Sequence, residues 1–275
     1  MFAYIDPTVR QRLVDQNRLV RIDARGNLLG LEQTAPEGQH AINVLGPIPL
    51  PVDLKQGEVT LDWYATVRST ELSRLEELAS DLREQGGQRL FSVLASSMAV
   101  NSVLVYGDRQ HWTDPVVRVH SCCMTGDVFH SKRCECGPQF DSAIERIVEA
   151  PEGGMLIYMS GHEGRGIGLW AKAATYLLQD AGEDTYQANR SLGLAADCRD
   201  FADAASLIHY FYGDKPFRLL TNNPKKVEDL RQHGLQHISM QHHVHGVSKW
   251  NERYLGAKKA WGHQLSDEDL KPGND

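Results

Sequence analysis

PVVRVHSCCMTGDVFHSKRCECGPQFDSAIERIVEAPEGGMLIYMS, residues 115–160, decides the fold class of this chain. It opens on PVVRVHS (115–121), a valine-rich run bounded by turn residues, with the composition of a strand. PQFDSAIERIVEA then places Phe140, Ile144, Ile147 and Val148 at helical spacing, and GMLIYMS (154–160) is a short apolar run that reads as a buried strand. Between the first strand and the helix lie four of the five cysteines: Cys122, Cys123, Cys134 and Cys136.

Outward from this stretch the alternation continues. A glycine-studded turn, GHEGRGIG (161–168), leads into a helix from Leu169 to about Ala181. A further helix, from about Arg199 to Tyr212, buries Phe201, Ala205 and Ile208. FRLLTN (217–222) is a strand, and NPKKVEDLRQHG a helix with Asn223 as N-cap, Pro224 at the first helical position and Gly234 at its end. HISMQHHV is the next strand and KWNERYLGAKKAWGH a last helix. Upstream, SVLVYGD (102–108) and VTLDWYATV (59–67) read as strands, TELSRLEELASDLREQ (70–85) as an amphipathic packing helix, and the stretch around Gly38 to Val52, with GPIPLP, as an extended connection. Alternating strands and helices from 115 to 263 predict an α/β sandwich.

Composition bounds the function. With 275 residues, net charge −7 and ordinary hydrophobic (41%) and charged (24%) fractions, this is a globular chain without the basic surface that wraps nucleic acid. A polyanionic ligand therefore needs a local positive site. The N-terminus lacks the pattern of a signal peptide and no apolar run approaches the ~20 residues of a membrane span, so no membrane partner is expected. Cysteines that are few, odd in number and clustered fit a reducing compartment, and the expectation is cytoplasmic.

Cys123, Cys134 and Cys136 have the form C-x10-C-x-C. Thiolates suit Zn²⁺, and an ion held by three protein ligands keeps a fourth position for water, whose pKa falls to about 7. The same spacing also fits a closed structural site with Cys122, His120 or His130 as fourth ligand, or unligated thiols. Glycines in GHEGRGIG let backbone approach an anion, and Arg165 adds a fork donor for phosphate; a plain tight turn fits equally. LTNNPKK (220–226) sets Thr221 and Lys226 at a strand's carboxyl end; a capped surface helix with a solvated basic first turn fits the motif alone, but lysines there oppose the macrodipole and want an anionic partner. AADCRDF (195–201) brings Asp197 and Arg199 together at a helix start, which fits helix capping as well as chemistry, and Tyr176 lies near the apolar stripe of its helix.

Together RVHS, CxTGD, RCxCG, Gln139, EGRGIGL, the tyrosine helix, AAD-x-RDF, LLTNNPKK and a terminal NE-x-YL…K…GH, across residues 102–263, resemble GTP cyclohydrolase II, the zinc enzyme that opens riboflavin synthesis. The resemblance implies a mixed α/β sheet flanked by helices, a catalytic domain over residues 101–275, and an N-terminal extension over 1–100 with strands and an amphipathic helix. It implies one Zn²⁺ per subunit on Cys123, Cys134 and Cys136, with hydroxide addition at C8 of GTP, ring opening and loss of formate. Arg199 would attack the α-phosphate and release pyrophosphate, with Asp197 as base and Tyr176 in the catalytic set. Arg118, Val119, His120, Ser121, Cys122, Gln139, Glu163, Gly164, Arg165, Thr221 and Lys226 would contact GTP. Mg²⁺ is implied with the departing pyrophosphate, and a homodimer as the assembly.

Two departures stand out. The family commonly reads HSE where this chain has HSC, so Cys122 replaces a carboxylate, and Cys198 stands where glutamate is frequent. They leave room for a paralogue with another purine nucleotide or a formylamino product, and for a zinc- and nucleotide-binding module without turnover. A purely structural zinc protein would show a closed site including Cys122.

Overall fold

The computed structural model describes residues 5–30, 33, 40–69 and 99–271. Among the described residues nine strands form one mixed sheet: β1 (Leu19–Ile22), β2 (Leu28–Leu29), β3 (Ile42–Leu54), β4 (Gly57–Arg68), β5 (Asn101–Tyr106), β6 (Val116–Ser121), β7 (Gly154–Met159), β8 (Phe217–Leu220) and β9 (Ile238–Gln241). Their order is β2-β1-β3-β4-β5-β7-β6-β8-β9. Pairing is antiparallel from β2 across to β7, then parallel through β6, β8 and β9. The expected mixed sheet with flanking helices is the architecture found.

Side-chain alternation on the central strands divides the core. On β6 and β7, Val117, Val119, Met155 and Ile157 face one side, where α5 (Ala202–Phe211) and α6 (Pro224–Gln232) bring Leu207, Ile208 and Leu230. Val116 and Leu156 face the other, where α2 (Cys136–Glu149) brings Ala143, Ile144 and Ile147. Each large apolar side chain fully buried here contributes about 1.5–3 kcal/mol. Helices on both faces bury most of β6 to β8 and leave their carboxyl ends free to carry a site.

Among the described residues the other helices longer than one turn are α1 (Pro7–Asp15), α3 (Gly168–Asp180), α4 (Thr185–Ser191) and α7 (Glu252–Ala260). α1 and α4 carry signals unused in the sequence reading: Asp6 caps Pro7 onward, and Asp184 with Gln187 forms a capping box. The helix expected over 70–85 lies outside the described residues.

The stretch containing GPIPLP is not a connection. It belongs to β3, which pairs with β4 from Ile42 to Leu54, and β1 covers its other edge only along Ile42–Leu45. Pro47, Pro49 and Pro51 alternate, so their backbone nitrogens all point the same way, to the edge beyond β1 where no ladder N–H is needed. The helix expected from Arg199 starts at Ala202, because Asp197 and Arg199 are engaged with each other rather than with helix capping.

β4 pairs with β5 along five residues, so the sheet runs unbroken across residue 100. At the end of β4, Arg68 forks onto Asp203 at 2.8 and 3.0 Å and onto Asp200 at 3.2 Å, and His40 lies 3.2 Å from Asp203. These contacts tie the N-terminal strands to the segment that carries Asp197 and Arg199. Arg68→Ala would leave the mostly buried Asp203 without its guanidinium, at a cost of about 1–3 kcal/mol. Urea denaturation should show a lower midpoint with unchanged slope.

Candidate active site

Three chain segments leave the carboxyl ends of the parallel strands and meet around one cleft, the position where open α/β sheets bind ligands. They are Ser121–Cys123 after β6, Ser160–Gly166 after β7 and Thr221–Lys226 after β8. Every residue expected at the site lines this cleft except Val119 and Asp197. Val119 is a core side chain whose carbonyl accepts from Lys226 Nζ at 2.8 Å, and Asp197 stands behind Arg199.

At one end lie the three cysteines. The Sγ atoms of Cys123, Cys134 and Cys136 are all within 4.8 Å of one another, and Cys123 Sγ to Cys134 Sγ is 3.6 Å. Tetrahedral Zn–S bonds of about 2.3 Å place sulfurs roughly 3.8 Å apart, so the cluster fits a thiolate-bound metal ion. Cys122 is outside that group. Its thiol sits 3.8 Å from Glu163 Oε2, and burial pushes its pKa up to about 11, which leaves it a neutral thiol. Three ligands, not four, are gathered among the described residues, the number that keeps a position open.

Local backbone makes this approach feasible. A single π-helical turn, Met124–Val128, folds the chain between the first cysteine and the others. A Cβ on Gly126 would sit 3.0 Å from Cys134 Sγ and 3.1 Å from Cys123 Sγ, so a hydrogen is what fits between them. Asp127 fixes the turn: its carboxylate accepts from the Cys123 N–H at 2.9 Å and from Tyr158 OH at 2.9 Å, and meets His120 Nε2 at 3.2 Å. Hydrogen bonds from Cys134 and Cys136, then the Lys172 ammonium, hold the Cys123 thiol far below its ordinary pKa. Those same bonds, with burial, push Cys134 up to about 12 and raise Cys136 well above its usual value. A second and third thiolate thus await a cation.

The other end is cationic. Arg118 gives its guanidinium to the Leu220 carbonyl (2.7 Å) and Gln139 Oε1 (2.9 Å), both neutral acceptors, and burial lowers its pKa to about 10. Lys226 donates to the Val119 carbonyl, and burial, with Arg118 and Arg199 nearby, pulls it well below the normal lysine value. Arg165 donates to Thr185 Oγ1 at 2.6 Å and stacks over the Tyr186 ring at 4.0 Å. Among the described residues Arg118 Nε and Arg165 Nη2 are buried without a hydrogen-bond partner. Three cations held on neutral acceptors stabilise a polyanion. Arg165 also takes a left-handed backbone, φ 63°, directly after Gly164 at φ 60°, a conformation held at cost where a side chain must be aimed.

Arg199 stands between these ends. Its Nε and Nη2 donate to Asp197 at 2.9 and 2.6 Å, leaving Nη1 3.4 Å from Ser121 Oγ. Burial opposes its charge, but the Asp197 carboxylate outweighs it and holds the guanidinium protonated. Tyr176 donates or accepts at Thr125 Oγ1 (2.9 Å) beside the cysteines, and Arg133 covers its ring at 4.4 Å. His162, pushed by burial to about 4, and His263, to about 3, are neutral at pH 7.

The family model for GTP cyclohydrolase II matches residues 90–241. The chain belongs to the GTP cyclohydrolase II family. A GTP cyclohydrolase-2 of Aliivibrio fischeri is 45% identical over 157 residues, 57% of this chain and 77% of that protein. One from Vibrio cholerae is 47% identical over 152 residues, 55% of this chain and 75% of that protein. The riboflavin biosynthesis protein RibBA of Mycobacteroides abscessus is 51% identical over 164 residues, 59% of this chain but 39% of that longer protein. As a member of a GTP cyclohydrolase II family, the chain is a hydrolase of riboflavin biosynthesis.

Several site residues escaped the sequence reading. Asp127 was visible as the last letter of CxTGD but without a role. Lys172 is buried on α3, four positions before Tyr176 and so on the same helix face, a spacing that went unread. Arg133, Tyr254 and His263 reach the cleft from separate elements, and no spacing announces that. Gly126→Ala should keep the fold yet force the sulfurs apart. The expected outcome is metal binding weakened about tenfold or more in competition with a chromophoric chelator, at near-parental thermal stability.

Proposed function

We propose that this member of the family converts GTP to 2,5-diamino-6-(5-phosphoribosylamino)pyrimidin-4-one, formate and pyrophosphate, with one Zn²⁺ per subunit on Cys123, Cys134 and Cys136 and Mg²⁺ accompanying the pyrophosphate. The observation that carries it is the pairing, in one cleft, of three converging thiols with a buried cation cluster. The zinc ion, when bound, supplies Lewis acidity that makes hydroxide available at neutral pH.

The chain's own residues do the rest. Arg118, Lys226 and Arg165 take the triphosphate oxygens, satisfying the Arg118 and Arg165 nitrogens that have no partner among the described residues. Arg199 attacks the α-phosphorus; the bond to the β-phosphate oxygen breaks, pyrophosphate leaves with that electron pair, and Asp197 receives the guanidinium proton. The resting ion pair opposes this deprotonation, so base and nucleophile have to exchange the proton as the bond forms. Water then hydrolyses the phosphorus–nitrogen bond. Two further waters open the imidazole ring at C8 and release formate, with the Tyr176 hydroxyl placed beside the cysteines to move a proton. Gln139, oriented by the His243 carbonyl at 3.1 Å, and Thr221 contact the nucleotide.

A homodimer in the cytoplasm completes the proposal. On α3, Trp170 is 91% and Leu177 73% exposed, with Ala173 between them, an apolar stripe that a second copy would cover. Trp170→Glu should shift the protein to monomer in sedimentation velocity; an unchanged dimer would exclude this face.

Product stoichiometry is the test of function: purified protein with GTP, Zn²⁺ and Mg²⁺, with formate, pyrophosphate and the pyrimidine quantified. Equal formate and pyrophosphate are expected. Pyrophosphate without formate would mean arrest before deformylation, and neither product would overturn the assignment. Cys123→Ser should lose metal and formate while still releasing pyrophosphate. Arg199→Ala should cut pyrophosphate release by at least about 100-fold; full release would remove Arg199 as nucleophile.

A further inference from the structure

Lys172 is a lysine that none of the expected chemistry uses. It is 8% exposed, on the third residue of α3 after Leu169, beside the buried Thr175. Burying an ammonium costs several kcal/mol unless it is paired and hydrogen-bonded. Its Nζ donates to Cys123 Sγ at 3.1 Å and to Glu163 Oε1 at 2.7 Å. Glu163 is itself fixed: Oε2 accepts from the Met124 N–H at 2.6 Å, and Oε1 from the Gly164 N–H at 3.0 Å. The carboxylate therefore spends its oxygens on lysine and backbone and holds the lysine on the sulfur. The path runs from the Glu163 turn after β7, through the ammonium, to the cysteine turn after β6.

We infer that Lys172 is the charge-balancing and positioning residue of the metal centre, acting through the Cys123 sulfur, with Glu163 as its anchor. The inference rests on the cysteine cluster holding a metal ion. Three thiolates and a divalent ion leave one surplus negative charge at the centre, which opposes forming hydroxide there, whereas three neutral imidazoles leave the ion's charge intact. An ammonium on one sulfur offsets the surplus. Because the hydrogen bond is donated to the sulfur, it also withdraws electron density from it. Glu163, expected to touch GTP, has both carboxylate oxygens engaged here instead, so its contribution passes through the lysine.

The experiment is cobalt substitution of the full chain, comparing the parent with Lys172→Met, Lys172→Arg and Glu163→Gln. A hydrogen-bonded, positively flanked thiolate holds its electrons more tightly, so its sulfur-to-cobalt charge-transfer band lies at higher energy. Lys172→Met should shift that band to longer wavelength, with Lys172→Arg close to the parent. In the zinc form, Lys172→Met should slow formate release by about 10- to 100-fold while pyrophosphate release stays within about twofold. Glu163→Gln leaves the lysine in place but loosened, and should move the band in the same direction by less, which serves if the methionine variant does not fold. Parental bands in Lys172→Met and Glu163→Gln proteins that bind one cobalt each would overturn the inference. A parent without a thiolate–cobalt band would overturn the metal assignment itself, and with it this one.

Discussion

Bringing three cysteine sulfurs to within 4.8 Å of one another is the constraint on which the site depends. Two of them are a single residue apart and the third precedes by ten, so the intervening chain must double back tightly. It does so through a π-turn in which a side chain at Gly126 would press on the sulfurs, pinned by the Asp127 carboxylate to the Cys123 backbone. Asp127 in turn leans on Tyr158 and His120 from the adjacent strands β7 and β6. The cluster is therefore as rigid as the sheet beneath it.

Polarity is then distributed along the cleft by burial. At the cysteine end a low dielectric strengthens the pull of Lys172 on Cys123 and makes further thiolates costly without a divalent ion. At the far end the same burial destabilises Lys226 and Arg118 as cations, because carbonyls and an amide are the acceptors they are given. Both ends are strained in opposite senses, one awaiting a cation and the other an anion, which is the arrangement a nucleotide with a metal-dependent reaction at its base would relieve. Arg199, already neutralised by Asp197, does not need the ligand's charge.

The N-terminal strands take part in this arrangement. Arg68 and His40 clasp Asp200, next to Arg199 in the chain, and Asp203 in the first turn of α5. Sheet extension and site are coupled through that clasp, so the segment before residue 100 bears on how the Asp197–Arg199 pair is held.

By itself the sequence determined the element alternation from residue 115 onward, the three cysteines, and the phosphate-type turns, because each is a local pattern: apolar period, cap residues, ligand spacing. Resemblance to a family then joined them into one site, and the family assignment and mixed sheet stand. Three other features depended on the tertiary structure. GPIPLP became a strand because β4 lies on one side and nothing longer than β1 on the other, which no window of sequence contains. Cys122 was separated from the ligand group, though adjacent in sequence to Cys123, because alternate backbone directions after β6 send it toward Glu163. Lys172 acquired its place because the strand-end turn after β7 returns the chain against the turn after β6. Contacts between residues 49 positions apart are set by how strands order in the sheet, and strand order is a property of packing, not of any local run of residues.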